Sequence, residues 1–194
     1  MAVASRMLPL GTAAPEFNLP DVVSGRHFSL ADFSREAAWR RAEQSGRPLP
    51  TSEARPQPDH RKGVQQKAAG PPAQPLLVMF LCRHCPYVVH VQQELARLGR
   101  DYSGRVAAVA ISANDAAAYP DDRPESLRQM AAEQGFVFPF LYDESQTTAR
   151  AYGAACTPDF FLFDASRRLA YRGQLDDSRP NSGRPVTGRD LRAA

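Results

Sequence analysis

Apolar positions along the chain change period several times, and each change marks an element. Leu76-Leu77-Val78-Met79-Phe80-Leu81 is a continuous apolar run, the pattern of a strand buried on both faces. Val88, Val91, Leu95 and Leu98 follow at spacings of three, four and three, one face of a helix ending near Gly99. Pro86 fits its first turn, where a missing N–H costs nothing. Residues 105–111 read as a second strand. Residues 124–134, with Leu127, Met130 and Ala131 inward and Gly135 as cap, read as a second helix. Residues 138–142 are short and extended, and 146–152 form a short helix stopped by Gly153. Residues 159–163 and 169–172 pair as a hairpin across the turn at 164–168. Upstream, residues 14–21 and 25–30 are short extended pieces joined by a Gly turn, followed by a brief turn at Ala31-Asp32-Phe33. Strands alternating with helices, then a closing hairpin, predict an α/β domain: a mixed central sheet with flanking helices.

Residues 34–75 break this pattern. They hold seven prolines and few large apolar side chains, so they cannot bury enough surface to offset their ordering entropy. The chain therefore divides into residues 1–33, the N-terminal part of the domain; 34–75, a Pro-rich disordered insertion; and 76–194, the core. Residues 36–44 could form a short exposed helix, which keeps Trp39 out of the core. A tolerated insertion is favoured over a lid or docking arm.

Charge adds little once it is located. Of the formal +3, the stretch from Arg35 to Pro75 carries eight Lys or Arg against four Asp or Glu, leaving the remainder about neutral. No basic face is left to bind nucleic acid. No apolar run approaches the roughly 18 residues of a membrane helix, and residues 1–10 lack the apolar stretch of a secretory signal. Three cysteines are too few for a secreted disulfide scaffold, so a cytoplasmic location is expected.

The chemistry concentrates in Phe80-Leu81-Cys82-Arg83-His84-Cys85-Pro86-Tyr87. A C-x-x-C that ends a strand and opens a helix is the layout of a thioredoxin-type redox site. Helix N-terminal amides favour the thiolate, the reactive species, and Arg83 and His84 could tune it in the same direction. Cys85, beside Pro86 at the helix N-cap, is the expected nucleophile and Cys82 the resolving thiol. One C-x-x-C with His84 and His90 offers four metal donors, but no second ligand pair follows, so no metal and no cofactor are expected. His27 and His60 read as solvated loop residues. Asp121-Asp122 and Asp176-Asp177 sit beside Pro or Arg and read as solvated turns or caps. No phosphate-binding, nucleophile-elbow or dinucleotide motif occurs.

With these residues in hand the chain resembles the peroxiredoxin-like branch of the thioredoxin superfamily, the alkyl hydroperoxide reductase and thiol-specific antioxidant, or redoxin, group. The matching blocks are residues 14–21, 79–88, 110–115, 139–144, 151–164 and 171–180, among them Cys82-Arg83-His84-Cys85-Pro86-Tyr87 and Cys156-Thr157-Pro158-Asp159-Phe160-Phe161. The resemblance implies a thioredoxin-like fold and antioxidant or thiol oxidoreductase activity. It also implies peroxide or disulfide as substrate and an external dithiol of the thioredoxin or glutaredoxin type as reductant. Cys156-Thr157-Pro158 resembles the cis-proline loop that faces the redox site, which would make Cys156 an alternative resolving thiol. Relatives carry Asn where Arg83 stands, and they complete the helix inside which Asp190-Leu191-Arg192-Ala193-Ala194 ends, so the resemblance implies a truncated C-terminal helix. The Pro-x-x-x-Thr-x-x-Cys set of well-characterised peroxiredoxins is incomplete, with Val78 and Cys82 at the Pro and Thr positions. A disulfide reductase without peroxidase activity, and a non-catalytic binding module of the same fold, are the alternatives.

Overall fold

The computed structural model describes residues 8–34 and 74–194. The expected helix at 36–44, Trp39, His60 and nearly all of the Pro-rich segment lie outside the described residues. Two short antiparallel strands, β1 (Asn18–Pro20) and β2 (His27–Ser29), come first. A turn of 3-10 helix, Leu30–Phe33, follows them. The rest alternates: β3 (Leu76–Phe80), α1 (Pro86–Asp101), β4 (Ala107–Ser112), α2 (Pro124–Gln134), β5 (Phe140–Tyr142), α3 (Thr147–Tyr152), β6 (Asp159–Phe163), β7 (Leu169–Gly173) and α4 (Arg189–Ala193).

Five strands form one mixed sheet in the order β5-β4-β3-β6-β7. β3 is central, parallel to β4 and antiparallel to β6. All five of its residues are buried, as expected of a strand covered on both faces. Alternation sorts them into two layers. Leu77 and Met79 pack with Val88, Val91, Leu95, Leu127 and Met130 under the long helices. Leu76, Val78 and Phe80 pack with Phe17, Phe33, Tyr152 and Phe161 on the opposite face. The expected α/β sheet with flanking helices is present.

α1 ends at Asp101, near Gly99 as the spacing predicts. A Cβ at Gly99 would stand 2.8 Å from the Phe138 ring, so the residue is small because another element crosses there. Gly135 and Gly153 cap α2 and α3, at φ 64° and 60°, a region open to glycine without strain.

The N-terminal pair docks on the sheet edge: Phe140 N–H donates to Asp21 Oδ1 at 2.9 Å, and Val22 N–H to the Phe140 carbonyl at 2.8 Å. Arg167, in the β6–β7 turn, reaches across to the flanks of the Pro-rich segment. Its guanidinium donates to the Gln74 carbonyl at 2.6 Å and to the Phe33 carbonyl. At the other end, Asp176 accepts Ser178, Thr187 and Gly188 N–H at 2.9, 2.6 and 2.7 Å. These bonds seat the start of α4, and Arg192 pins its last turn to Glu94 and Asp101.

Candidate active site

The site forms where β3 stops. Register pairs Phe80 with Asp159, which sets the segment entering β6 beside the segment leaving β3. Cys82 and the loop Cys156-Thr157-Pro158 thus meet at the same end of the sheet, and the Thr157–Pro158 peptide is cis. Cys85 is the N-cap of α1, in an extended conformation, with its carbonyl accepting Val88 and Val89 N–H at 3.0 Å.

Both sulfurs converge on one residue. Cys85 Sγ donates to the Thr157 carbonyl at 3.2 Å, and Cys82 Sγ lies 3.0 Å from Thr157 Oγ1. Their environments differ sharply. Cys85 is partly exposed, whereas Cys82 is fully buried. Burial pushes the Cys82 thiol up to about 11, outweighing the hydrogen bond from Thr157, with Asp122 adding to the rise. Cys156 is exposed at the rim. Desolvation of its sulfur raises its thiol, followed by the charges of Asp159 and Cys85. All three thiols are free.

Arg83 and His84, between the two cysteines, are both directed at other partners. The Arg83 guanidinium donates to the Ser126 carbonyl at 2.7 Å and pairs with Glu133 at 3.1 Å. His84 Nδ1 stands 2.6 Å from Asp122 Oδ2, and its ring stacks on Tyr119 at 4.4 Å with 3° between planes. His90 turns away to Ser178 Oγ at 3.0 Å, and His27 lies in β2, exposed, rather than in a loop.

Asp122 is the residue that sequence reasoning missed. It is fully buried, not a solvated turn. Its Oδ1 accepts Arg83 and His84 N–H at 2.7 and 3.3 Å, and its Oδ2 accepts Asn114 Nδ2 at 2.7 Å as well as meeting His84. The signal available in the chain was only a Pro-Asp-Asp turn ahead of a helix. Asp176 is likewise buried rather than solvated; its role as a cap for the start of α4 agrees with the other half of the expectation.

Cys82, His84 and Asp122 each offer one possible metal-ligand atom within 4.8 Å of the others. Asp122 already has its oxygens engaged by N–H donors of its own chain, so this set serves hydrogen bonding better than ligation. A cleft of about 530 Å³ opens beside the cysteines, lined by His84, Asn114, Tyr119, Arg150, Cys156 and Thr157 among others.

A C-x-x-C at a strand-to-helix junction, facing a cis-proline loop across a mixed sheet, defines the thioredoxin-like class. Residues 44–188 match the Redoxin family, and the chain belongs to it, in the peroxiredoxin-like branch of the thioredoxin superfamily. Two similar solved structures are an uncharacterized conserved protein from Geobacillus kaustophilus and a hypothetical protein from Sinorhizobium meliloti. The first is 43% identical, with a TM-score of 0.77, over 99% of this chain and 82% of that one. The second is 40% identical, with a TM-score of 0.76, over 98% and 84%. The thioredoxin domain of a thiol-disulfide oxidoreductase from Bacteroides vulgatus, 13% identical with a TM-score of 0.57 over 86% and 89%, shares the fold. No curated protein matches the chain. Among the described residues no helix is long and apolar enough to cross a membrane.

Proposed function

We propose that this protein is a thiol–disulfide oxidoreductase in which Cys85 attacks and Cys82 resolves. The observation that carries the reading is the convergence of both sulfurs on Thr157 from opposite environments, Cys85 partly exposed at a helix N-cap and Cys82 fully buried. A half-exposed thiol at a helix N-cap is suited to attack, since a substrate sulfur can reach it. A buried, protonated thiol is suited to wait.

The Cys85 thiolate attacks one sulfur of a substrate disulfide, breaking its S–S bond and expelling a thiolate. Cys82, deprotonated, then attacks Cys85 Sγ in the mixed disulfide, releasing the second thiolate and leaving a Cys82–Cys85 disulfide. An external dithiol of the thioredoxin or glutaredoxin type restores the reduced pair by two exchanges of the same kind. Membership in the Redoxin family supports redox chemistry of this class, and a structural neighbour is described as a thiol-disulfide oxidoreductase.

Peroxide is the second substrate the family suggests. It has weaker support, because the Pro and Thr of the peroxidase motif are replaced by Val78 and Cys82 and the Arg83 guanidinium pairs with Glu133.

Replacing Cys85 with Ser should abolish turnover of a disulfide substrate. Cys82→Ser should stop after one exchange and accumulate a mixed disulfide on Cys85, visible by mass spectrometry. Cys156→Ser should turn over at the wild-type rate. Activity retained in Cys85→Ser would overturn the assignment, and peroxide consumption under the same conditions decides the peroxidase question.

A further inference from the structure

We infer that His84 and Asp122 form a proton relay for the buried thiol Cys82, with His84 carrying the proton and Asp122 positioning the ring. The inference rests on the exchange chemistry proposed above and adds residues that chemistry does not by itself require.

A buried thiol that must become a nucleophile has a proton to lose and no water to take it. Cys82 is fully buried and Thr157 is the one side chain hydrogen-bonded to its sulfur among the described residues. A ring nitrogen of His84 and a carboxylate oxygen of Asp122 both lie within 4.8 Å of that sulfur. The imidazole is also held in place. Its Nδ1 contacts a fully buried carboxylate at 2.6 Å, its face lies flat on Tyr119, and the residue lines the cleft. Asp122 is fixed in turn by Asn114 and two backbone N–H groups. A carboxylate that orients an imidazole while the ring moves the proton is a recurrent catalytic arrangement. The other titratable groups around the ring are Tyr119, Cys85, and Cys156 and Arg150 across the cleft.

The proton count closes over one cycle. Attack by the Cys85 thiolate breaks the substrate S–S bond and expels one thiolate. The neutral His84 ring then removes the proton of Cys82 as that sulfur bonds to Cys85 Sγ and the second thiolate leaves, and the ring, partly exposed, passes that proton to solvent. His84 ends as it began, the protein has lost two electrons, and the substrate disulfide has become two thiolates.

Dithiobisnitrobenzoate, mixed with the reduced full-length protein, separates the two steps, because each releases one coloured nitrothiobenzoate. In His84→Ala the first release should persist, while the second slows by about 10²-fold near neutral pH. The slowed phase should accelerate steadily with rising pH, as hydroxide replaces the relay, and added imidazole should restore part of it. His84→Gln, which keeps a polar side chain of similar reach, should show the same slow phase without loss of thermal stability. A second release at the wild-type rate with the wild-type pH profile in both variants would overturn the relay while leaving the exchange reading intact. Failure of the first release in the wild-type protein would overturn the exchange reading and the relay with it.

Discussion

Two cysteines separated by two residues end in opposite environments. Cys82 closes a strand buried on both faces, so its sulfur inherits that burial; Cys85 stands a short loop later, where the chain has turned outward into a helix. The consequence is measurable. A thiol pushed up to about 11 leaves on the order of one Cys82 thiolate in ten thousand at pH 7. In Cys85→Ser, iodoacetamide should therefore label Cys82 far more slowly than an unperturbed thiol at pH 7, at a rate that climbs through pH 9 and beyond. In Cys82→Ser, Cys85 should label readily at pH 7. Equal rates at pH 7 would contradict the difference in burial. The Cys82-x-x-Cys85 pair was legible as candidate chemistry because its type and spacing are distinctive, whereas Thr157 and Pro158 came in only through the family resemblance. Asp122 was not, since a Pro-Asp-Asp turn looks the same whether its second carboxylate faces water or four N–H donors.

At the scale of elements, one register places the site and one clasp closes the opposite end of the central strand. Pairing Phe80 with Asp159 brings the end of β3 to the start of β6, and no local pattern in either strand specifies that pairing. The clasp is Arg167, whose single guanidinium holds the carbonyls of Phe33 and Gln74 and so fixes the two flanks of the Pro-rich segment side by side. Replacing residues 35–73 by a short Gly-Ser linker should then leave the fold and Cys85 reactivity unchanged. Unfolding should come at the same or a higher temperature, since a shorter closed loop costs less entropy. Loss of folding in that deletion would mean the segment contributes to the core. Arg167→Met should lower stability by roughly 1–3 kcal/mol in urea unfolding, because it leaves two carbonyls without their charged donor. At Gly99, in the last turn of α1, the missing side chain makes room for Phe138, a contact that no local pattern specifies.

At the scale of the molecule, two apolar layers sandwich the sheet, and a buried carboxylate fastens the C-terminal end to it. Burial alone would raise Asp176, yet hydrogen bonds from Ser178, Gly188 and Thr187 outweigh it and hold its carboxyl down to about 2. The unfolded chain would titrate near 3.9. The ionised form thus stabilises the fold fully above about pH 4, and that contribution disappears as pH falls from about 4 towards 2. Thermal unfolding followed by circular dichroism should show a steep loss of stability across that window. Asp176→Asn, which has no carboxyl to protonate, should be less stable at pH 7 and show a shallower loss. Parallel curves for the two proteins would remove Asp176 from the account.

Fold class, strand and helix order and the two helix caps argued from glycine were determined by the sequence alone. Each rests on local chemistry: the period of apolar positions and the backbone freedom of glycine. Which polar residues are buried, which ring crosses at Gly99, and which side chains surround Cys82 were decided only by the tertiary structure. Those properties belong to pairs of residues distant in the chain, such as His84 and Asp122 or Gly99 and Phe138. Their energies arise only once the sheet register has brought them into contact, so no pattern within either segment could have carried them.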